Sequence, residues 1–185
     1  MFKSKTKKIM KAIIKLYLKT FLIFTIPYFT LMTLFGLEDN SELIIWGNLS
    51  MSILIGVFMS LILVSFHWYN IKKIGVENSN DDNFGVNQTR TIETKLDKNE
   101  LIDKLKLDPT TGKMKMTDIE NGVLLKTGMS TKSWGEEIKI ILTSNKESIF
   151  KYQVSSRPKL KTTIVDYGKS LENINKIESV IKIFI

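Results

Sequence analysis

A short segment near the carboxyl end of the sequence holds three side chains that could together bind a small ligand. Asp166, Tyr167 and Lys169 supply a carboxylate, a phenol and an ammonium group around Gly168. Because glycine permits backbone conformations that other residues avoid, we expect a bend that brings the three groups together. Capping of a following helix by Asp166 is the alternative interpretation, since aspartate is favoured at that position.

Common catalytic and metal-binding arrangements are largely excluded by composition. The sequence has no cysteine and a single histidine, His67, which excludes disulfides, thiolate nucleophiles, Cys-based zinc sites and multi-His metal centres. A Ser-His-Asp arrangement is not expected, because His67 lies in an apolar segment. Residues 109–113 end like a phosphate-binding loop, but the first glycine is missing and a strand follows, so a plain turn is predicted. We expect no metal ion and no cofactor.

Positive charge is the remaining functional signal of the carboxyl-terminal half. From residue 88 onward the chain has 18 basic and 13 acidic residues, a net charge of +5. Arg157, Lys159, Lys161 and Lys169 are close in sequence and are the candidate surface contacts. Anionic lipid headgroups are the expected binding partner, with lysines scattered over a solvated surface as the alternative. Nucleic acid is not expected, because no binding motif is present and only two arginines occur.

The elements that must position these groups divide the chain into two parts. Two long apolar runs, residues 20–37 and 43–69, contain no acidic or basic side chain apart from His67. Each is long enough to cross a bilayer as a helix. Trp46 and Trp68 are 22 positions apart, roughly 33 Å on a helix, which suits aromatic anchors at opposite membrane interfaces. Lys15 and Lys19 can reach the headgroups before the first span. A transmembrane hairpin over residues 12–74, with helices at about 13–36 and 43–69, is therefore predicted.

The distribution of lysines predicts the orientation of this hairpin. The first 20 residues contain seven lysines and no acidic residue. The connection between the spans contains acidic but no basic residues, and Lys72 and Lys73 follow the second span. By the positive-inside rule, both termini, including a basic segment over residues 1–11, are expected in the cytoplasm of a multi-pass inner-membrane protein. A cleaved signal peptide is not expected, because the apolar run is too long. The Lys-, Asn- and Ile-rich composition suggests a bacterial source.

Small and polar residues recur every four positions in the second span. They form a stripe, called the small-residue stripe below, that consists of Asn48, Ser52, Gly56 and Ser60. Such a stripe allows close approach of another helix, because packing rather than the hydrophobic effect holds helices together in lipid. The first helix of the same hairpin, a second copy of the chain and a foreign partner helix are the three possible occupants.

A polar segment, residues 75–87, is predicted to be a flexible linker to a cytoplasmic domain over residues 88–185. Asp97 and Glu100 form a capping-box pattern at the start of a helix, and alternating apolar residues beyond it predict an antiparallel meander with a tight turn at Asn121-Gly122. Residues 162–165 are predicted to add a short edge strand. A final helix from about Ser170 has apolar residues at helical spacing.

The predicted architecture is thus a two-helix membrane hairpin followed by a small α+β domain. Its element order is β-α-β-β-β-β-α, with a mainly antiparallel sheet covered by helices on one face. The function that we expect is a non-enzymatic membrane protein whose cytoplasmic module binds a protein partner or anionic lipid, as an accessory, assembly or regulatory subunit. A membrane protein or a second copy of the chain is the expected protein partner. A small-ligand receptor or enzyme with a site at Asp166, Tyr167 and Lys169 is the alternative.

Overall fold

The computed structural model describes residues 2–36, 42–74, 84–146 and 148–182, with side chains described from residue 10 in the first segment and from residue 45 in the second. The chain divides into two compact units, Met1–Phe84 and Gly85–Ile185. The first unit is helical, and the second contains a five-stranded sheet with two helices. This agrees with the predicted order of a helical hairpin followed by an α+β domain.

The first unit consists of helix α1, Phe2–Phe35, and helix α2, Glu42–Lys73. Both extend beyond the predicted spans, α1 at its amino end and α2 at its carboxyl end. Met10–Phe35 and Ile45–Lys73 are long and apolar enough to cross a membrane, with mean hydropathies of 1.5 and 2.4. Pro27 lies within α1, where it removes one backbone donor from the helix. The hydroxyls of Tyr17 in α1 and Ser65 in α2 form a hydrogen bond of 3.0 Å. Asn48, early in α2, donates to the carbonyl of Met32, late in α1, so the two helices run antiparallel.

The predicted linker is described only at its carboxyl end. Residues 75–83 lie outside the described residues, so the predicted flexibility of that segment remains a prediction. Phe84 belongs to the first unit, where its carbonyl oxygen lies 3.3 Å from Nε2 of His67. Both residues are buried there.

The second unit is built on one antiparallel sheet. Its strands are β1 Gln88–Thr94, β2 Lys115–Ile119, β3 Gly122–Lys126, β4 Glu136–Lys146 and β5 Ile149–Pro158. The strand order across the sheet is β1-β5-β4-β3-β2, so β1 joins the meander at its far edge. The order strand, helix, four strands, helix is the predicted one.

One face of the sheet carries the hydrophobic core. The register aligns Ile92 with Tyr152, Val154 with Ile140, and Ile138 with Leu125, so their side chains share a face. Helices α3, Lys98–Leu107, and α4, Lys169–Ile181, pack on that face. From α3, Leu101 and Leu105 enter the core. From α4, three isoleucines do so: Ile174, Ile177 and Ile181.

Local sequence signals explain where the two helices begin. Asp97 caps α3 by accepting a hydrogen bond from the N–H of Glu100, whose side chain accepts from the N–H of Asp97. This reciprocal pair is the predicted capping box. Helix α4 begins after Gly168, which has a left-handed backbone with φ of 77°. The predicted apolar stripe of α4 is confirmed by its buried residues.

Two expectations about the sheet need correction. Residues 162–165 form no strand, because this segment is folded into a turn in which the N–H of Thr163 donates to the carbonyl of Leu160; the edges of the sheet are β1 and β2. The β2–β3 loop consists of Glu120 and Asn121, whereas Gly122 is the first residue of β3 and pairs with Ile141. A Cβ atom on Gly122 would lie 1.9 Å from the carbonyl oxygen of Ile140, so glycine is required there by close packing.

We therefore expect Gly122→Ala to destabilise the second unit by roughly 1–3 kcal/mol, since a backbone carbonyl cannot move aside easily. Gly128→Ala is the control, because a Cβ there meets nothing within 4 Å; its effect should stay within about 0.5 kcal/mol. Native-state hydrogen exchange of the β3 and β4 amides in the full chain measures both changes. Equal effects of the two substitutions would contradict the packing argument.

Candidate functional site

The small-residue stripe of α2 lies against α1 within the first unit. The side chain of Asn48 donates to the carbonyl of Met32 at 3.3 Å, and Ser52 and Ser60 are buried. A Cβ on Gly56 would lie 1.9 Å from Oγ1 of Thr25. Within the hairpin, α1 therefore contacts the stripe. The buried line continues along α2 through Val64 and His67, neither of which the stripe pattern included.

The predicted interface anchors are exposed on the two helices. Lys15 and Lys19 are exposed on α1, and Lys72 and Lys73 are exposed at the end of α2. Trp46 and Trp68 are exposed near opposite ends of α2. The ammonium group of Lys72 lies 4.2 Å from the centroid of the Trp68 ring, a distance at which a cation attracts an aromatic face.

Asp166 stabilises the first turn of α4. Its carboxylate accepts hydrogen bonds from the N–H groups of Gly168 at 3.0 Å and Ser170 at 2.8 Å, and the residue is buried. Tyr167 has a left-handed backbone with φ of 52°, and burial raises the pKa of its phenol. The carboxylate of Asp166 thus caps the start of α4, which is the alternative interpretation of this segment, and not the ligand-binding one.

Lys169 instead lines a cavity of about 400 Å³ between α4, the end of β3 and the segment that follows α3. Asp166 and Tyr167 do not line this cavity, so the predicted three-residue site is not assembled around it. The cavity has two further lysines, Lys113 and Lys176, in its walls. Sequence reasoning missed both, because they come from segments about 60 residues apart.

Ion pairs surround this cavity. Lys132 and Lys169 each lie 3.3 Å from a carboxylate oxygen of Glu172. Although burial opposes it, the two lysines lower the pKa of that carboxyl group. On the other wall, Lys176 lies 2.9 Å from Asp108. The N–H of Thr111, together with Lys176, lowers the pKa of Asp108 to about 2.

The four predicted basic contacts occupy different surroundings. Arg157 donates to Glu137 at 2.9 Å on the face of the sheet opposite the helices, where it lowers the pKa of that carboxyl group. Lys159 donates from Nζ to the carbonyl of Thr127 at 2.5 Å. Lys161 is exposed and forms no ion pair with the residues that the structure describes, and Lys169 lines the cavity.

Large apolar side chains are exposed beside these lysines. In the β3–β4 loop, Met129 and Trp134 are 69% and 64% exposed, and Leu160 in the segment after β5 is 48% exposed. The N–H of Lys159 donates to the carbonyl of Gly135 at 2.9 Å, which places the two segments side by side. We call this surface the tip. It comprises Met129, Lys132, Trp134, Lys159, Leu160 and Lys161.

A buried carboxylate holds the tip loop in place. Glu136, the first residue of β4, is 0% exposed, and it accepts hydrogen bonds from the hydroxyls of Ser133 in the loop and Ser170 in α4. Burial raises the pKa of Glu136, and the nearby charge of Asp166 adds to the effect. The signal was present in the sequence, since Glu136 has the same strand parity as Ile138 and Ile140, whose side chains are buried.

No match to this chain was found among protein-family models, curated proteins or solved structures. Among the described residues, no group of three or more His, Asp or Glu side chains is placed to hold a metal ion. In the second unit, the tip and the adjoining cavity form the candidate functional site.

Gly56→Ala should weaken the packing of α2 against α1, because the new methyl group would overlap Thr25 and approach Phe21 to 3.0 Å. A cost of roughly 1–3 kcal/mol is expected. Spin labels at Leu18→Cys and Leu61→Cys, both exposed, would report a longer or broader interhelical distance. Gly47→Ala is the control in the same helix, since nothing lies within 4 Å of a Cβ there. An unchanged distance in both variants would argue against this contact.

Glu136→Gln should stabilise the second unit at neutral pH. Because the pKa of Glu136 is raised in the folded state, its carboxylate form opposes folding, and stability increases as the pH falls through that raised pKa. The gain from glutamine should therefore shrink in acid. Hydrogen exchange of β4 amides as a function of pH measures this.

The adjacent residue provides the control for this experiment. Arg157 lowers the pKa of Glu137, so its contribution to stability is present above the unfolded pKa and is lost as the pH falls. Glu137→Gln should therefore slightly destabilise the unit at neutral pH, by at most about 1 kcal/mol for an exposed pair. The same sign of effect for both variants at neutral pH would contradict the assignment.

Proposed function

We propose that this chain is a non-enzymatic, two-pass membrane protein whose hairpin anchors the α+β unit at the cytoplasmic face of the inner membrane. The α+β unit acts there as an interaction module, and its tip contacts the anionic lipid surface of that membrane. The observation that carries the proposal is the tip, where exposed Trp134, Met129 and Leu160 lie next to lysines. The positive-inside pattern of the lysines supports the cytoplasmic placement of both termini.

The surface of the helical unit supports its placement in lipid. Large apolar side chains are exposed along both helices, including Leu22, Ile26 and Leu31 of α1 and Leu54 and Phe58 of α2. Soluble proteins rarely expose apolar patches of this extent, whereas hydrocarbon chains cover them without cost. The small and polar side chains of the stripe, by contrast, lie between the two helices.

The tip combines the two attractions that hold a peripheral protein on an anionic bilayer. Its apolar side chains can enter the boundary between headgroups and acyl chains, and each lysine close to the surface contributes about 1 kcal/mol. Tryptophan favours this boundary because its ring is amphipathic. Furthermore, the chain enters the second unit at this end of the sheet, since Gln88 of β1 pairs with Ser156 near the end of β5.

An accessory role through a protein partner is the second candidate function. The observation that favours it is the edge position of β2 in the sheet, because an edge strand can pair with an extended segment of another chain. A partner that binds in this way would protect the amides of β2 rather than those of the tip. The two functions therefore differ in a measurable place.

We expect anionic lipid to protect the tip from hydrogen exchange. The full chain would be placed in nanodiscs of phosphatidylcholine alone or with phosphatidylglycerol added, and exchange in residues 127–135 and 159–161 compared. Protection should occur only with phosphatidylglycerol and should disappear at about 1 M salt, where the Debye length is about 3 Å. Lys161→Glu should weaken the contact by about 2 kcal/mol, roughly 30-fold in the bound-to-free ratio.

Lys146→Glu is the matched control, because Lys146 is an exposed lysine at the opposite end of β4. It should retain the protection. The lipid function would be refuted if the tip exchanged equally in both kinds of nanodisc, or if the two charge reversals had the same effect. Protection of β2 by a copurified protein, with an unprotected tip, would favour the accessory role.

A further inference from the structure

We propose that the cavity beside the tip binds a phosphate-bearing anion. The cavity is distinct from the apolar tip surface, and its proposed ligand does not follow from the lipid function. It lies between the first two turns of α4 and the loop after β3, and it is closed on a third side by the segment between α3 and β2. Its ligand could come from two sources, a soluble phosphorylated molecule or the headgroup of a phospholipid.

The walls of the cavity carry side chains from three separate parts of the fold. Lys169 and Lys176 project from α4, on which positions seven residues apart share a face. Lys113 comes from the turn after α3, and Ser130 comes from the β3–β4 loop. Three lysines and a serine thus line one space, and ammonium and hydroxyl groups are the donors that a tetrahedral oxyanion requires.

The charge around the cavity is not balanced. Lys132 and Lys169 share the single carboxylate of Glu172, and Asp108 pairs with Lys176. Among the residues that the structure describes, Lys113 has no ion pair or side-chain hydrogen bond. Four lysines against two carboxylates leave a surplus of two positive charges. A phosphate monoester carries between one and two negative charges near pH 7, which matches this surplus.

The size of the cavity favours a ligand larger than a single inorganic ion. Its volume of about 400 Å³ falls within the range of roughly 300–1,000 Å³ that is typical of small-molecule sites. The apolar wall residue Met114 could contact an organic part of the ligand. We therefore infer an organic phosphate, with the phosphate group held by Lys113, Lys169 and Lys176.

Two arms of one experiment distinguish the sources of the ligand. In the first, inorganic pyrophosphate is titrated by calorimetry into the full chain in phosphatidylcholine nanodiscs. In the second, exchange of residues 110–114 and 169–176 is compared between phosphatidylcholine and phosphatidylglycerol nanodiscs without pyrophosphate. Saturable binding in the first arm indicates a soluble phosphate ligand. Protection in the second arm alone indicates a lipid headgroup.

In whichever arm binding occurs, Lys113→Ala should weaken it about 10-fold, since a charge-assisted hydrogen bond is lost. Lys113→Arg should largely restore it, and Lys146→Ala should leave it unchanged. Lys113 is exposed and forms no ion pair or side-chain hydrogen bond with the described residues, so its removal should not unfold the unit. Absence of saturable binding and of cavity protection in both arms would overturn the proposal, as would equal effects of Lys113→Ala and Lys146→Ala. A tip still protected by phosphatidylglycerol in that case would leave the lipid function intact.

Discussion

The organisation of the second unit depends on one buried carboxylate at the start of β4. Glu136 is withdrawn from water, and burial of a charged group is costly unless hydrogen bonds compensate for it. Its partners come from two different elements, Ser133 in the β3–β4 loop and Ser170 in the first turn of α4. Displacement of either the loop or the helix would remove one of the two hydroxyl groups that donate to this acid. The wall of the cavity and the base of the tip are therefore fixed together.

The two units place their large apolar side chains oppositely, on the outside of the hairpin and on the inside of the second unit. In the hairpin, small and polar side chains of α2 lie on the inside against α1, and large apolar side chains face outward. In the second unit, apolar side chains of the sheet and helices lie inside, and charged groups other than Glu136 and Asp166 face outward. Leu107 at the end of α3 and Ile149 at the start of β5 are single exposed apolar residues. At the tip, by contrast, Met129, Trp134 and Leu160 form an exposed group, and a grouped apolar surface favours a binding role.

Local signals in the sequence were sufficient for most of the fold. The capping box at Asp97 and the apolar spacing of α4 each depend on neighbours a few residues away, and both predictions were confirmed. The edge strand over residues 162–165 was wrong because that segment forms a turn, and the neighbour of β5 is instead β1, which is distant in sequence. The cavity could not be predicted for the same reason, since Lys113 and Lys169 are brought together only by tertiary packing. Burial of Glu136 was readable from strand parity, but adjacent acids are ordinarily solvated.

The hydrogen bond between Lys159 and Thr127 has a consequence for cooperativity. It joins the segment after β5 to Thr127, the residue that follows β3, and Thr127 also forms part of the cavity wall. A ligand that orders this wall would reduce the conformational entropy that the neighbouring β3–β4 loop loses when it contacts a bilayer. By thermodynamic linkage, contact with the bilayer would then increase the affinity of the cavity for its ligand by the same factor. Binding of the anion and contact with the bilayer would thus be cooperative, and the state with both bound would be favoured over either state with one bound.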